Sequence, residues 1–364
     1  MPHKPSITVL PEKGRMGIRH DQRDTNVTSI VADLIPSLGL RGRILVVDDD
    51  TDVITDAMRR LGLNVIAWHR RAMGGHTARP WIDTNSLEAA FIRYPVSRNA
   101  FEMLVHAVAP RLTPNGRLFT YGANDEGIKS SNKALAVAFQ NVEVVETKRH
   151  SRVMLAKRVR DIAFKKELED WKETVTFETP QGNLSLVSYP CLFAHGHLDG
   201  GTKLLLQALP SIPKEQARVL DYGCGIGIIG LVLQRTNPSI EADLIDIDAI
   251  AIHATMENVP RAHVFTADSM EVVRGKKYDL IVSNPPIHAG KGEDFTVLIR
   301  FLTEAASSLT QNGELLFVVQ ATVPIQNELT KLFTRVTAVA KNRQYTVWKC
   351  SIKVDAGGTH RAGT

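Results

Sequence analysis

Three cysteines in 364 residues are too few for a disulfide framework, and Cys191, Cys224 and Cys350 stand far apart. An odd count with no CxxC pair and no Cys/His cluster of ligand spacing excludes zinc-ribbon sites and points to a reducing compartment. No metal is therefore expected. Long apolar runs are also lacking: none approaches the roughly 18 residues that a membrane span needs, so no membrane partner is expected. The N-terminus has no apolar stretch of the secretory kind. Arg15, Arg19 and Arg23 are offset there by Glu12, Asp21 and Asp24, which makes a weak transit peptide. A cytoplasmic location is expected, with organelle import left open. An excess of one charge is nearly absent too: the net charge is +5 and the pI about 9.0. That suits a polyanionic partner and equally suits enzymes with no nucleic-acid role.

What is present is an α/β pattern that runs twice. Residues 1–35 show little periodicity and read as an irregular arm. Arg43–Val47 then reads as a buried strand, Asp52–Leu61 as a helix, Asn64–Trp68 as a strand, Asn99–Pro110 as a helix, and Arg117–Tyr121 as a strand after a turn. After Gly182 the pattern restarts. Helices are expected at Gly201–Leu209, Ile228–Arg235 and Ala249–Asn258. Strands are expected at Ala217–Tyr222, Ala242–Ile247, Ala262–Thr266, Tyr278–Ser283 and Gly313–Val319, with a closing hairpin at Val336–Lys341 and Tyr345–Ile352. Seven strands with an antiparallel end form the Rossmann-like layout of class I methyltransferases. The boundaries that follow are 36–165 for a first domain, 166–355 for a second, and 356–364 for a flexible tail.

The two domains resemble each other. Leu112-Thr113-Pro114-Asn115-Gly116-Arg117-Leu118-Phe119 aligns with Leu309-Thr310-Gln311-Asn312-Gly313-Glu314-Leu315-Leu316, and Arg43-Ile44-Leu45 aligns with Arg218-Val219-Leu220. A duplication is inferred. Opposite Gly223, Gly225 and Gly227 of the second copy, the first has Asp48, Asp50 and Asp52. Glycines let backbone N–H groups approach an anionic group at a helix N-terminus, whereas aspartates repel it. The first copy thus reads as a fold retained without its cofactor site. Its aspartates read as an N-capping turn, in preference to a phosphorylation or metal cluster.

Two stretches of the second copy carry chemistry. Asp221-x-Gly223-x-Gly225-x-Gly227 joins a strand to a helix, a pattern shared with dinucleotide folds. GxGxG spacing and an acid ending the strand favour S-adenosylmethionine. Asp246, about twenty residues on, suits a ribose diol, with Asp248 a substitute that reads better as a helix cap. Asp268 suits the adenine amino group. Cys224 reads as a buried filler. The second stretch, Asn284-Pro285-Pro286-Ile287-His288, follows an apolar strand. An exocyclic amine is a poor nucleophile until both N–H groups are held by acceptors. The Asn284 side-chain oxygen and the Pro285 carbonyl can supply them on a loop stiffened by proline. His288 suits contact with a base or phosphate, or proton loss after transfer.

With Leu192-Phe193-Ala194-His195-Gly196-His197-Leu198-Asp199-Gly200-Gly201-Thr202-Lys203-Leu204-Leu205-Leu206, these motifs make residues 185–353 similar to the bacterial small-subunit ribosomal guanine-N2 methyltransferase family, which carries a degenerate first methyltransferase fold. The resemblance implies S-adenosyl-L-methionine as cofactor and guanine N2 of 16S-type rRNA, or the small ribosomal subunit, as substrate. It places Asp199 and Thr202 beside the cofactor. A monomer is expected. One departure stands out. The family carries Phe after Asn-Pro-Pro, where this chain has Ile287, a less specific surface for a flipped base. Lys148, Arg149, His150, Arg152, Lys157, Arg158, Arg160, Lys165 and Lys166 cluster between the copies and suit phosphates, or a merely solvated connector. Alternatives are amide methylation of a protein glutamine, adenine-N6 methylation of DNA, and a non-catalytic RNA-binding scaffold in ribosome assembly.

Overall fold

The computed structural model describes residues 22–95, 97–210, 216–285 and 292–352. The first copy runs α1 (Gln22–Leu34), β1 (Arg43–Val47), α2 (Val53–Arg60), β2 (Asn64–Trp68), β3 (Leu87–Arg93), α3 (Arg98–Val108), β4 (Leu112–Ala123), α4 (Ser131–Ala138), β5 (Phe139–Lys148) and β6 (Ser151–Val159). Its sheet has the order β2-β1-β3-β4-β6-β5, and β6 runs against both neighbours. A hairpin, β7 (Glu173–Thr179) and β8 (Gly182–Ser188), leads into the second copy. There α5 (Gly200–Gln207), β9 (Arg218–Tyr222), α6 (Ile228–Thr236), β10 (Glu241–Asp246), α7 (Ala249–Asn258), β11 (His263–Thr266) and β12 (Tyr278–Ser283) are followed by α8 (Gly292–Ser308), β13 (Leu309–Gln320), α9 (Gln326–Leu332), β14 (Arg335–Lys341) and β15 (Tyr345–Ser351). The second sheet has the order β11-β10-β9-β12-β13-β15-β14. It is the first order with one more strand, β11, at the edge. Helices on both faces make the central strands continuous apolar runs, as in Ile44–Val47, rather than alternating ones.

Three expectations are corrected. Residues 22–34 are a helix, not irregular arm: Val27, Ile30 and Val31 are buried on one face, and Leu34 packs partly beside them. β3 was not expected at all; Leu-Glu-Ala-Ala-Phe-Ile-Arg is rich in helix formers and, buried on both faces, shows no alternation. The basic segment from Lys148 divides. Lys148 to Arg158 belong to the β5–β6 hairpin, the first copy's counterpart of β14–β15, whereas Lys165 and Lys166 lie in the segment that connects the copies. Among the described residues no helix is long and apolar enough to cross a membrane.

The duplication is explicit in the strand registers. Leu87 pairs Leu112 and Ala89 pairs Arg117; Tyr278 pairs Leu309 and Leu280 pairs Glu314, so both ladders skip three residues at the same place. The skipped turn holds the repeated Asn-Gly. A Cβ on Gly116 would lie 2.9 Å from the Leu87 carbonyl oxygen, and one on Gly313 would lie 2.6 Å from that of Tyr278. The glycines persist because the neighbouring backbone occupies the space a side chain needs.

The copies meet through equivalent segments. Aligning Val47 with Tyr222 places Arg70 opposite Ile247, Arg71 opposite Asp248 and Ala72 opposite Ala249. Ala72 N–H donates to the Ile247 carbonyl (2.9 Å), and Ala249 N–H donates to the Arg70 carbonyl (3.0 Å). Arg71 and Asp248 form the antiparallel bridge between them. The contact is self-complementary, as in a two-fold dimer, yet its side chains differ: the Arg70 guanidinium pairs with Asp248 and donates to the Cys191 carbonyl. Ala100 and Met103 of α3 also join the apolar core of the second copy.

Replacing Gly313 by Ala forces Cβ onto the Tyr278 carbonyl and should lower stability by about 1–3 kcal/mol. Gly116→Ala should cost somewhat less, because its nearest contact is longer. Denaturant midpoints check both; unchanged midpoints would contradict the packing account.

Candidate active site

The loop after β9 is built on positive φ. Gly223, Gly225 and Gly227 have φ of 71°, 54° and 86°. Their surroundings differ. A Cβ on Gly225 would meet nothing within 4 Å, and one on Gly223 only the Asn284 carbonyl oxygen at 3.9 Å. A Cβ on Gly227 would come within 2.6 Å of Val259 Cγ2, so this glycine lets α6 lie against α7. Gly223 and Gly225 border open space, whereas Gly227, expected among the cofactor contacts, is a packing residue.

Asn284 stands at the end of β12, beside that loop. Its Nδ2 donates to Asp199 Oδ2 and to Thr202 Oγ1, both at 2.9 Å. Both amide hydrogens are thereby used, and Oδ1 is left as the group's acceptor. Asp199 is itself fixed as the N-cap of α5, accepting from Thr202 N–H at 3.0 Å. The Tyr345 ring lies against Gly200 and Gly201, where a Cβ would come within 3.1–3.2 Å of it. Asp199 and Thr202 were expected beside the cofactor; the structure gives them a bonded partner in Asn284. Ser283 Oγ donates to the Tyr222 carbonyl at 2.7 Å, tying the two strand ends together. Pro285 is buried, and Pro286, Ile287 and His288 lie outside the described residues.

The carboxylates are placed unequally. Asp221 is fully buried, and its Oδ2 accepts from Gly230 N–H at 3.1 Å. Its Oδ1 is buried without a partner. Burial pushes its pKa up to about 7, against the Gly230 hydrogen bond and with the help of Asp246. Asp246 accepts from Gly225 N–H and Asp248 N–H at 2.8 and 2.9 Å; burial, then the charge of Asp248, pushes it up to about 6. Asp248 caps α7 by accepting from Ile250 N–H, as expected. Asp268 is held through its carbonyl, which accepts from Tyr222 Oη and Arg300 Nη2. The short helix after it is capped at Met270 N–H by Glu304 (2.8 Å), not by Asp268. Cys224 is buried against Thr255, whose hydroxyl donates to the Gly225 carbonyl at 2.6 Å.

Thr255, Tyr345 and Arg300 fell outside the expected set. Only the Gly200-Gly201 pair hinted at one of them, by leaving room for a ring.

The basic residues separate. Lys148, Arg149 and His150 end the β5–β6 hairpin, where Arg149 Nη1 donates to Ser29. Lys157, Arg158 and Arg160 lie at its other end. Lys157 pairs with Glu143 at 2.7 Å, and Arg160 Nε donates to the Ala136 and Phe139 carbonyls. Arg158 is exposed, with a φ of 59°.

The residues present fit S-adenosylmethionine better than a dinucleotide. Two carboxylates, Asp221 buried and Asp246 half-buried, flank the glycine loop and are held by backbone N–H groups. A pyrophosphate would meet like charge there. A sulfonium with an ammonium group would meet opposite charge, with Asp221 Oδ1 as one open acceptor.

The first copy has filled the equivalent space. Asp48 and Asp52 keep the left-handed turns of Gly223 and Gly227, with φ of 54° and 57°. The helix N-terminus is capped by neither of them. Asp49 accepts from Ile54 N–H and Thr55 N–H, both at 3.0 Å. Strand register puts Arg93 opposite Asn284, and Arg93 is bound to Asp24 and Glu126 at 2.7–2.8 Å.

Comparison with known proteins agrees with this division. Residues 183–349 match the family model described as methyltransferase small domain, and residues 41–174 match its N-terminal domain. A Shewanella oneidensis protein named ribosomal RNA small subunit methyltransferase C is 32% identical over 72% of this chain and 77% of its own length. The chain belongs to the small-subunit ribosomal RNA methyltransferase C family. Another member, from Shewanella loihica, is 31% identical over 73% of this chain and 77% of its own. A 16S rRNA N2 methyltransferase of T. thermophilus, solved in complex with AdoMet and guanosine, covers 88% of this methyltransferase and 91% of itself with a TM-score of 0.77; at 19% identity it establishes the shared fold. The expected two-copy class I architecture is therefore borne out.

The buried carboxylates set a pH dependence for this methyltransferase. Their folded pKa values lie above the ordinary carboxylate value, so the folded state holds protons that the unfolded chain releases. The stability they add is full below about pH 4 and is lost as pH rises through about 6 and then about 7. Without cofactor, unfolding free energy should fall across this range, and Asp221→Asn should flatten the fall. Equal slopes in variant and wild type would contradict the buried, unpaired Asp221.

Proposed function

We propose that this chain transfers the methyl group of S-adenosylmethionine to the exocyclic N2 amine of a guanine in small-subunit ribosomal RNA. The observation that carries this reading is Asn284. With both its amide hydrogens bound to Asp199 and Thr202, its oxygen is turned out as an acceptor. The Pro285 carbonyl is the second acceptor expected at the strand end. Two acceptors hold both N–H groups of an amine and leave its nitrogen lone pair aimed at one point in space, so positioning supplies most of the rate.

Bound at the glycine loop, S-adenosylmethionine supplies a methyl group on a cationic sulfur. Asp246 is assigned to a ribose diol and Asp268 to the adenine end, while Gly223 and Gly225 would keep side chains out of the way. Asp221 offers Oδ1 to the ammonium group. The nitrogen–carbon bond would form as the sulfur–carbon bond breaks, leaving a neutral thioether, and the amine would then release one proton to water. Asn284 keeps its hydrogen bonds throughout and needs no change of charge. Ile287 and His288 remain candidates for the face and edge of the extruded base.

RNA binding is assigned to the first copy, through the two basic ends of its β5–β6 hairpin, with Arg158 the most available of Lys157, Arg158 and Arg160. The intrachain two-fold contact occupies the surface that would otherwise dimerise, which supports a monomer.

Purified small subunits from cells lacking this modification, incubated with labelled S-adenosylmethionine, should gain label that digests to a guanine methylated at N2. Asn284→Ala should slow transfer by at least about a hundredfold while cofactor affinity in calorimetry is kept. Gly225→Asp should abolish cofactor binding. Label on adenine or on protein would replace the substrate assignment, and wild type without cofactor affinity would leave a scaffold.

A further inference from the structure

The aromatic rings of this chain face inward, with one exception. Among the described residues every phenylalanine, tyrosine and tryptophan is buried or half-buried except Phe193, which is 77% exposed. A single exposed apolar side chain is ordinary, so its setting decides what it means. Cys191 and Leu192, just before it, are buried in the core of the second copy. Phe193 is turned the other way.

The loop that turns it is braced along its length. At its start, Asn99 Nδ2 of the first copy donates to the Pro190 carbonyl at 3.1 Å, and Arg70 Nη2 donates to the Cys191 carbonyl at 3.2 Å. Ala194 has a φ of 53°, a left-handed backbone that a residue with a Cβ keeps only where its surroundings impose it. The His195 ring lies between Ser188 Oγ and Glu173 Oε2, at 2.9 and 3.0 Å, and His197 N–H donates to the Ala194 carbonyl at 3.1 Å. At its end, Asp199 caps α5 and binds Asn284. Phe193 and Asp199 are six residues apart. Even fully extended, that stretch spans only about 20 Å, and the turn at Ala194 shortens it.

We infer that Phe193 is a stacking platform for an unpaired RNA base that flanks the guanine delivered to Asn284. The inference rests on the RNA reading above. A base drawn out of its stack leaves a neighbour with one face uncovered, and an aromatic ring can cover that face whatever the base. Ile287 has no ring to offer. The surroundings suit the adjoining phosphates: residues 191–198 include no acid, and His197, Lys203 and Arg71 are exposed. None of the other exposed large hydrophobic residues is on this loop. A lone ring among polar neighbours fits a base, whereas a protein partner needs a broader apolar patch. The loop is bonded to the first copy at one end and to Asn284 at the other, so a base stacked on Phe193 is held in register with both.

The test is the affinity of the full chain for a short guanine-containing single-stranded RNA, read by fluorescence anisotropy. Phe193→Ala should weaken binding about tenfold. Phe193→Leu, apolar without a ring, should weaken it similarly, and Phe193→Tyr should restore it. The Tm and the S-adenosylmethionine Kd should not move in any of the three. Wild-type affinity in the alanine or leucine variant, or a wild type that does not bind the RNA, overturns the inference. So does an alanine variant that loses Tm or cofactor affinity, or one that binds the RNA normally but binds the small subunit poorly, which would assign the ring to a ribosomal protein. The expected pattern in a chain that transfers no methyl group to RNA would support the stacking contact and sink the guanine reading instead.

Discussion

The proposed active site depends on the full use of one amide nitrogen. An asparagine side chain can turn over and present either its oxygen or its nitrogen. Asn284 is denied that freedom by Asp199 and Thr202, two acceptors on the first turn of α5. Asp199 in turn is fixed by the helix it caps, and Tyr345 packs on the glycines that follow it. The acceptor at the end of β12 is thus oriented by a helix that precedes the cofactor loop in sequence. This gives a physical reason for the Asp199-Gly200-Gly201-Thr202 run to accompany Asn284-Pro285-Pro286 in one chain: the first positions the second.

Duplication explains the rest of the architecture. Two equal folds meet through equivalent loops after β2 and β10, and the symmetric backbone bridge carries an asymmetric pair, Arg70 with Asp248. Once joined in one chain, the copies were free to diverge. The second kept left-handed glycines with open space beside them. The first kept the left-handed turns at Asp48 and Asp52 but filled its helix N-terminus with Asp49 and its acceptor position with Arg93. It also lacks the edge strand matching β11, and the residues in that interval became the loop that docks on the second copy.

Much of this was legible in the sequence, for particular reasons. Apolar runs of four to six residues bounded by Gly, Asp or Asn marked β1, β2, β9 and β12 closely, and the Asn-Gly repeat reported a real steric demand at Gly116 and Gly313. Helical spacing of Val27, Ile30, Val31 and Leu34 is present in the sequence, but polar residues dominate the segment and mask it. β3 was hidden because a strand buried on both faces has no period of two, and β5 because its outer face is charged. At the site, residue types located the loops but not the bonds within them. Spacing cannot show that Asp221 points at Gly230, that Gly227 is fixed by Val259, or that Asp199 and Thr202 bind Asn284. Those follow from where helices land on the sheet.

Thr202 and Asp199 are proposed to act on the methyl acceptor through Asn284. The most direct measurement is single-turnover methyl transfer to the small subunit by Thr202→Val and Thr202→Ser, each with its cofactor Kd. Loss of one hydrogen bond to Asn284 should slow the valine variant about tenfold at nearly unchanged cofactor affinity, and serine should restore the rate. A valine variant that loses cofactor affinity while transferring at the wild-type rate would contradict the account.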